Sequence, residues 1–154
     1  MSGASGVRLA DYDPHWLDFL VPMWRASFEL GVGIKDPHPL EEQRQHFVSN
    51  VVPSSSVRVA LLGEDLVGFV AANRESIAQL YVRVGYHGRG IGSELLAWAK
   101  RQSAGSLWLF TFARNSNARR FYEARNFKVV QFGFEPTWQL GDVKYAWSAP
   151  RNTP

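Results

Sequence analysis

The chain has 154 residues, 45% of them hydrophobic and 20% charged, with a net charge of +3 and no cysteine. Those values suit one compact domain and leave no room for two. They exclude disulfides, thiolate metal sites and a cysteine nucleophile, and no apolar run approaches the roughly 20 residues of a membrane helix.

Residues 1–6 are small and polar and lack a basic-then-apolar signal pattern, so no secretion signal is expected. With residues 150–154 they read as loose ends of a single domain spanning 1–154, and the expected setting is cytoplasmic. Residues 7–10 read as a short first strand. Pro14 opens a helical pattern in which Trp16, Phe19, Leu20, Met23, Trp24 and Phe28 recur, until Gly31-Val32-Gly33 stops it. Pro39 starts a second helix through Leu40, Glu41, Arg44 and Phe47, expected to end before Pro53.

Residues 56–62 alternate and are β-branched, residues 66–72 form an apolar run, and Gly63-Glu64-Asp65 between them reads as a hairpin turn. Residues 77–84 are a third strand of this group. Four glycines punctuate residues 85–92, and Ile91, Leu95, Trp98 and Ala99 then fall on one face of a helix. Residues 106–112 are a strand. Residues 117–125 are a short helix with Ala118, Phe121 and Tyr122 on one face, closed by Asn126, a residue that tolerates the left-handed conformation. Two strands, about 127–134 and 143–148, complete an α+β order rather than the strict alternation of a doubly wound fold.

Charge is unevenly distributed. Residues 83–128 carry nine basic and two acidic side chains, +7 in net, whereas residues 1–82 sum to −4. A basic half suits an anionic ligand, either nucleic acid or a phosphorylated small molecule, though it equally suits a solvated helix face. The four histidines, His15, His38, His46 and His87, show no metal-ligand spacing, so no metal is expected.

The sharpest feature is the strand Leu80-Tyr81-Val82 followed by His87-Gly88-Arg89-Gly90-Ile91-Gly92-Ser93 at a helix start. Glycines let backbone N–H groups come close to a ligand, and a helix N-terminus adds unpaired N–H donors and a positive dipole end. Together they make an anion site suited to a pyrophosphate, with Arg89 adding charge at its rim. A Walker loop fits worse, because Ile91 stands where its Lys belongs. A dinucleotide fingerprint also fits worse, because the third glycine is misplaced and no acidic residue follows at the required distance.

The stretch resembles the acetyl-CoA signature of the GNAT superfamily, Gln/Arg-x-x-Gly-x-Gly/Ala, with His87 standing where Gln or Arg is usual. Asn115-Ser116-Asn117-Ala118-Arg119-Arg120-Phe121-Tyr122 resembles the family's second signature, Asn-x-x-Ala-x-x-Phe-Tyr. The resemblance implies a mixed, mostly antiparallel twisted sheet of about 6–7 strands flanked by about 4 helices. It implies acetyl-CoA as acyl donor, with the backbone of Leu80 to Val82 along the pantetheine, Gly88 to Ser93 at the pyrophosphate, and Asn115 bonded to the pantetheine. A splay between the strands at Leu80–Val82 and 107–112 would admit the thioester. Tyr122 would be the general acid that protonates the leaving thiolate.

The general base is open. Glu75, at the start of the strand before the loop, is the candidate that the resemblance implies, since several members of the family place a catalytic Glu there, with a solvated carboxylate beside Arg74 as the plain alternative; Gln79, Asp36 and His38 are others. Trp24, Phe28 and Trp138 suit core packing and equally an acceptor pocket. The expected function is N-acetyl transfer to a primary amine in a ternary complex, with no nucleic-acid or membrane partner. Alternatives are a non-catalytic acyl-CoA–binding domain and a nucleic-acid–binding module. Phe132, Phe134, Trp138 and Trp147 in the last strands leave a homodimer possible.

Overall fold

The computed structural model describes residues 6–150. Four strands, β1 (Arg8–Asp11), β2 (Ser56–Leu62), β3 (Asp65–Ala72) and β4 (Ile77–Val82), form an antiparallel sheet in that order. Three more, β5 (Ser106–Phe112), β6 (Lys128–Glu135) and β7 (Leu140–Ser148), form a second antiparallel sheet with β7 in the middle. One parallel bridge, Ser76–Trp108, joins them, and the Trp108 N–H donates to the Glu75 carbonyl at 3.1 Å. The expected mixed sheet is therefore mixed only at this seam. Beyond it, β4 and β5 run in the same direction without a ladder among the described residues.

A 3-10 turn (Pro14–Trp16), capped by the Asp13 carboxylate, leads into α1 (Leu17–Val32), and Gly33 closes α1 with φ +79°. The second helical segment is longer than the sequence predicts. It runs through α2 (Leu40–His46), a π-helical turn (Phe47–Val51) and a last turn α3 (Val52–Ser54). The widened turn accommodates Pro53, which has no N–H to donate and would crowd a regular α-turn. The remaining helices are α4 (Ile91–Gln102) and α5 (Ser116–Glu123). None is long and apolar enough to cross a membrane.

The helices cover the two faces of the sheets. On one face Ile91, Leu95 and Leu96 of α4 and Tyr122 of α5 pack on Val67, Val82, Leu107 and Tyr145. On the other, Leu20, Trp24 and Phe28 of α1 and Phe47 pack on Val59 and Phe69. Each fully buried aliphatic side chain contributes about 1.5–3 kcal/mol through removal from water, so the pattern of i, i+4 and i, i+7 apolar residues is what holds each helix to its face.

Three further boundaries differ from the sequence expectation by two or three residues. β4 stops at Val82 rather than Val84, because the chain turns there, with the Tyr86 N–H donating to the Arg83 carbonyl at 3.0 Å. α5 ends at Glu123 rather than Arg125: Asn126 takes φ +71° and the Phe127 N–H returns to the Tyr122 carbonyl at 3.1 Å. β7 starts at Leu140 rather than Val143, because Gly141 and Asp142, unremarkable in the sequence, pair with Phe134 and Gly133.

Candidate functional site

The seam opens into a cleft whose walls are β4 and β5. The Arg83 N–H donates to the Val67 carbonyl at 2.8 Å, and the register pairs Tyr81 with Phe69 and Val82 with Gly68. In an antiparallel ladder this alternation turns the N–H and C=O groups of Leu80 and Val82 away from β3 and towards β5. The Val82 carbonyl is taken by the Ser27 hydroxyl of α1 at 2.8 Å in a buried hydrogen bond. The N–H of Val82 and both groups of Leu80 face the cleft.

At the open end, the glycine-rich turn rests on backbone conformations that L side chains resist. Gly85, Gly88 and Gly90 have φ of +91°, +79° and +83°, and a side chain in that region costs about 1–2 kcal/mol. Gly90 is the N-cap of α4 and no side chain caps that end, so the first N–H groups of α4 point outward. Gly92 has a different role: an added Cβ would stand 3.0 Å from Cε1 of Phe121, so it lets α5 pack closely on α4. The Ile91 side chain is buried in the core, leaving only its backbone for the turn.

Positive charge surrounds this turn. The guanidiniums of Arg83 and Arg89 lie 5.3 and 4.8 Å from the Tyr86 ring centroid. Arg125, which sequence reasoning did not single out, donates through Nε and Nη2 to the Ser93 hydroxyl at 3.1 and 2.8 Å and lies 3.9 Å over the Phe121 ring. His87 is exposed at the turn.

Tyr122 and Tyr81 approach the cleft from opposite layers. Tyr122 is 7% exposed, wedged among Phe121, Phe127 and Tyr145 at centroid distances of 5.1, 5.4 and 6.2 Å. Burial pushes its hydroxyl well above the ordinary tyrosine value, and the nearby Tyr81 adds to the shift. Tyr81, stacked on Phe69, is pushed up to about 12 by burial against a smaller opposing pull from hydrogen bonding with Trp24. Asn115 is the N-cap of α5: its Oδ1 accepts from the Ala118 N–H at 3.1 Å, and its Nδ2 lies against Gly31 of α1.

Glu75 falls elsewhere. It is exposed in a turn organised by Asn73, whose Oδ1 accepts from its N–H at 2.8 Å, and it adjoins the bridge that closes the cleft. Its Cα is five residues from Leu80, roughly 16 Å along a strand. Trp24 and Phe28 are core residues, while Trp138 is partly buried at the tip of the β6–β7 turn and touches Phe28 and His38. The signal for Ser27, also missed, is a lone hydroxyl among the apolar residues of α1.

The family model of the acetyltransferase (GNAT) domain matches residues 53–129, half of the chain and the part that contains both cleft walls. No curated protein matches the sequence. Among solved structures, PH1933 from Pyrococcus horikoshii is similar over 96% of this chain and 99% of its own, with 18% identity and a TM-score of 0.77. The PaiA N-acetyltransferase from Thermoplasma acidophilum, solved in complex with coenzyme A, shares 20% identity over 96% of this chain and 99% of its own, with a TM-score of 0.75. The yncA structure from Salmonella typhimurium, solved with its cofactor acetyl-CoA, is 11% identical over 97% of each chain, with a TM-score of 0.70. At these identities the likeness establishes the fold, and with the family match the chain belongs to the GNAT acetyltransferase family.

Proposed function

We propose that this chain transfers the acetyl group of acetyl-CoA to a primary amine. The observation that carries the reading is the cleft between β4 and β5, with the glycine turn at its open end and Tyr122 of α5 packed in the same cluster as Val82 and Leu107 of its walls. The residues present fit an acyl-CoA. Phosphates need clustered donors, and the N–H groups at the start of α4 with Arg89 and Arg125 supply them. A pantetheine amide needs an exposed strand edge, and Leu80 and Val82 offer one.

In this reading the backbone from Gly88 to Ser93 holds the pyrophosphate, with His87 and Arg89 at its rim. Leu80, Tyr81 and Val82 line the pantetheine arm, and Asn115 Nδ2 is its side-chain donor beside Ala118. Bound acetyl-CoA supplies an activated acyl carbon; the chain orients it and manages protons. Tyr122 donates to sulfur. Its raised pKa keeps the hydroxyl protonated across the neutral range, as a donor must be. A phenol shifted upward is a weak acid beside a thiol of about 8.5, so its proton moves as the C–S bond breaks rather than before.

The test is thioester loss from acetyl-CoA in the presence of primary amines, comparing the wild type with Tyr122→Phe. We expect kcat to fall on the order of 100-fold in the variant, with acetyl-CoA affinity retained. Binding without turnover in the wild type would instead make this an acyl-CoA–binding domain.

A further inference from the structure

We infer that His38 is the general base of this reaction, held by Asp36 and set against Trp138 where the acceptor amine enters. The inference rests on the acetyl-transfer reading above and adds the group that removes the proton from the incoming amine.

The loop between α1 and α2 is built around this one side chain. Asp36 Oδ1 accepts from both the backbone N–H and the ring Nδ1 of His38, at 2.9 and 2.8 Å. A carboxylate only accepts, so Nδ1 carries the hydrogen and the neutral ring presents Nε2 as a free lone pair. Asp36 is itself anchored, its side chain only 9% exposed, with Oδ2 at 3.6 Å from Arg25 Nη2 and its backbone N–H donating to Glu29 at 2.7 Å. Arg25 also donates to the His38 carbonyl and, through Nε, to Gln43 at 2.9 Å. Pro37 and Pro39 flank His38 and fix the backbone on either side. The ring nevertheless stays reachable, its side chain 44% exposed. A largely shielded orienting acid, a fixed backbone and an accessible imidazole make a general-base arrangement.

Its position decides between it and Glu75. The His38 ring meets Trp138 edge-on at 5.3 Å, and Trp138 lies 5.1 Å from Phe28 and 6.5 Å from Phe112. Phe112 is the last residue of β5, at the open end of the cleft, whereas Glu75 sits at the bridged end. The charged groups that contact His38 directly are Asp36 on its own loop and Arg25 on α1, while Glu29 on α1 accepts from the Asp36 N–H and Glu135 accepts the Trp138 N–H at 2.7 Å.

The step balances. A primary ammonium gives one proton to Nε2 of His38, and the freed lone pair on nitrogen forms the new bond to the acyl carbon of the thioester. The C–S bond breaks with its electron pair on sulfur, Tyr122 gives sulfur a proton, and the surplus proton on nitrogen restores the tyrosine. His38 then releases its proton to water, so the products are the acetylated amine, free CoA thiol and one proton.

Two measurements test this. The first reads the imidazole directly by two-bond proton–nitrogen NMR correlation in the wild-type protein. The Nδ1–H tautomer is expected, and an Nε2–H tautomer would overturn the assignment. The second compares wild type and His38→Gln across neutral pH, with acetyl-CoA and a panel of primary amines of differing basicity. The variant should lose on the order of 100-fold in kcat/KM towards strongly basic amines. Amines already uncharged at the assay pH should lose little. Unchanged acetyl-CoA affinity shows that the variant is folded. A wild-type rate and profile in His38→Gln would overturn the role. Failure of the wild type to bind acetyl-CoA would sink the donor reading instead, and the tautomer would still decide the state of His38.

Discussion

The two ends of the cleft mouth are built in different ways. The glycine turn and the start of α4 are made by backbone: positive φ at Gly85, Gly88 and Gly90, and donors that belong to no side chain. The opposite side, where the α1–α2 loop meets the β6–β7 turn, is made by side chains that converge from distant stretches of sequence, Arg25, Asp36, His38, Phe112 and Trp138. In the proposed reading, the backbone side would recognise what every donor molecule of the class shares, its phosphates and amides. A side-chain site can change with a single substitution, which suits the half of a reaction that sets acceptor choice.

That contrast can be broken by perturbing one side and reading the other. Trp138→Ala removes the ring that links Phe28, Phe112 and His38, and we expect a loss of about 3 kcal/mol in stability by chemical denaturation. Acetyl-CoA affinity should stay within about twofold, since its donors are elsewhere; a large drop would mean that the two sides are not independent. Ser27→Ala attacks the joint between them. It strips the buried Val82 carbonyl of its partner and should cost about 1–3 kcal/mol, read as a lower Tm. Here donor affinity should weaken as well, because the edge of β4 loses its anchor on α1.

A smaller effect sharpens the picture of the cleft wall. Tyr81 and Tyr122 both have raised pKa values, so the folded state holds their protons more tightly than the unfolded state does. Their stabilising contribution is complete below the unfolded value near 10 and is lost as pH rises towards the folded values. Stability should therefore be flat with respect to these groups through neutral pH and fall above about pH 10, and Tyr81→Phe should make that fall shallower.

The same contrast explains what the sequence made legible. The glycine turn could be read as an anion site because glycine spacing before a helix start carries that meaning locally, whereas the Leu80–Val82 edge and Tyr122 were named only through the likeness to the family's two signatures. The hairpin of β2 and β3, α4 and β5 were equally plain, with apolar periodicity and turn residues in agreement. Ser27 could not be assigned its carbonyl, because the two are 55 residues apart and only the packing of α1 on β4 joins them. Asp36 and His38 were visible as candidates but not as a pair, since their geometry depends on Arg25 and Glu29. The passage of the second helical segment through Pro53 was hidden by a π turn, which has no reliable local signature. Glu75 was named because several members of the family place a catalytic Glu at that strand start, and here the strand start lies at the closed end of the cleft.

Calorimetric titration with acetyl-CoA of the wild type and of Gly90→Glu addresses the central claim most directly. The variant places a side chain at φ +83°, which strains the turn by about 1–2 kcal/mol, and sets its carboxylate where the proposed reading puts the pyrophosphate, so the two like charges repel. We expect micromolar binding by the wild type, weakened on the order of 100-fold in the variant. No binding by the wild type, or equal binding by both proteins, would contradict the assignment of the glycine turn as the donor site.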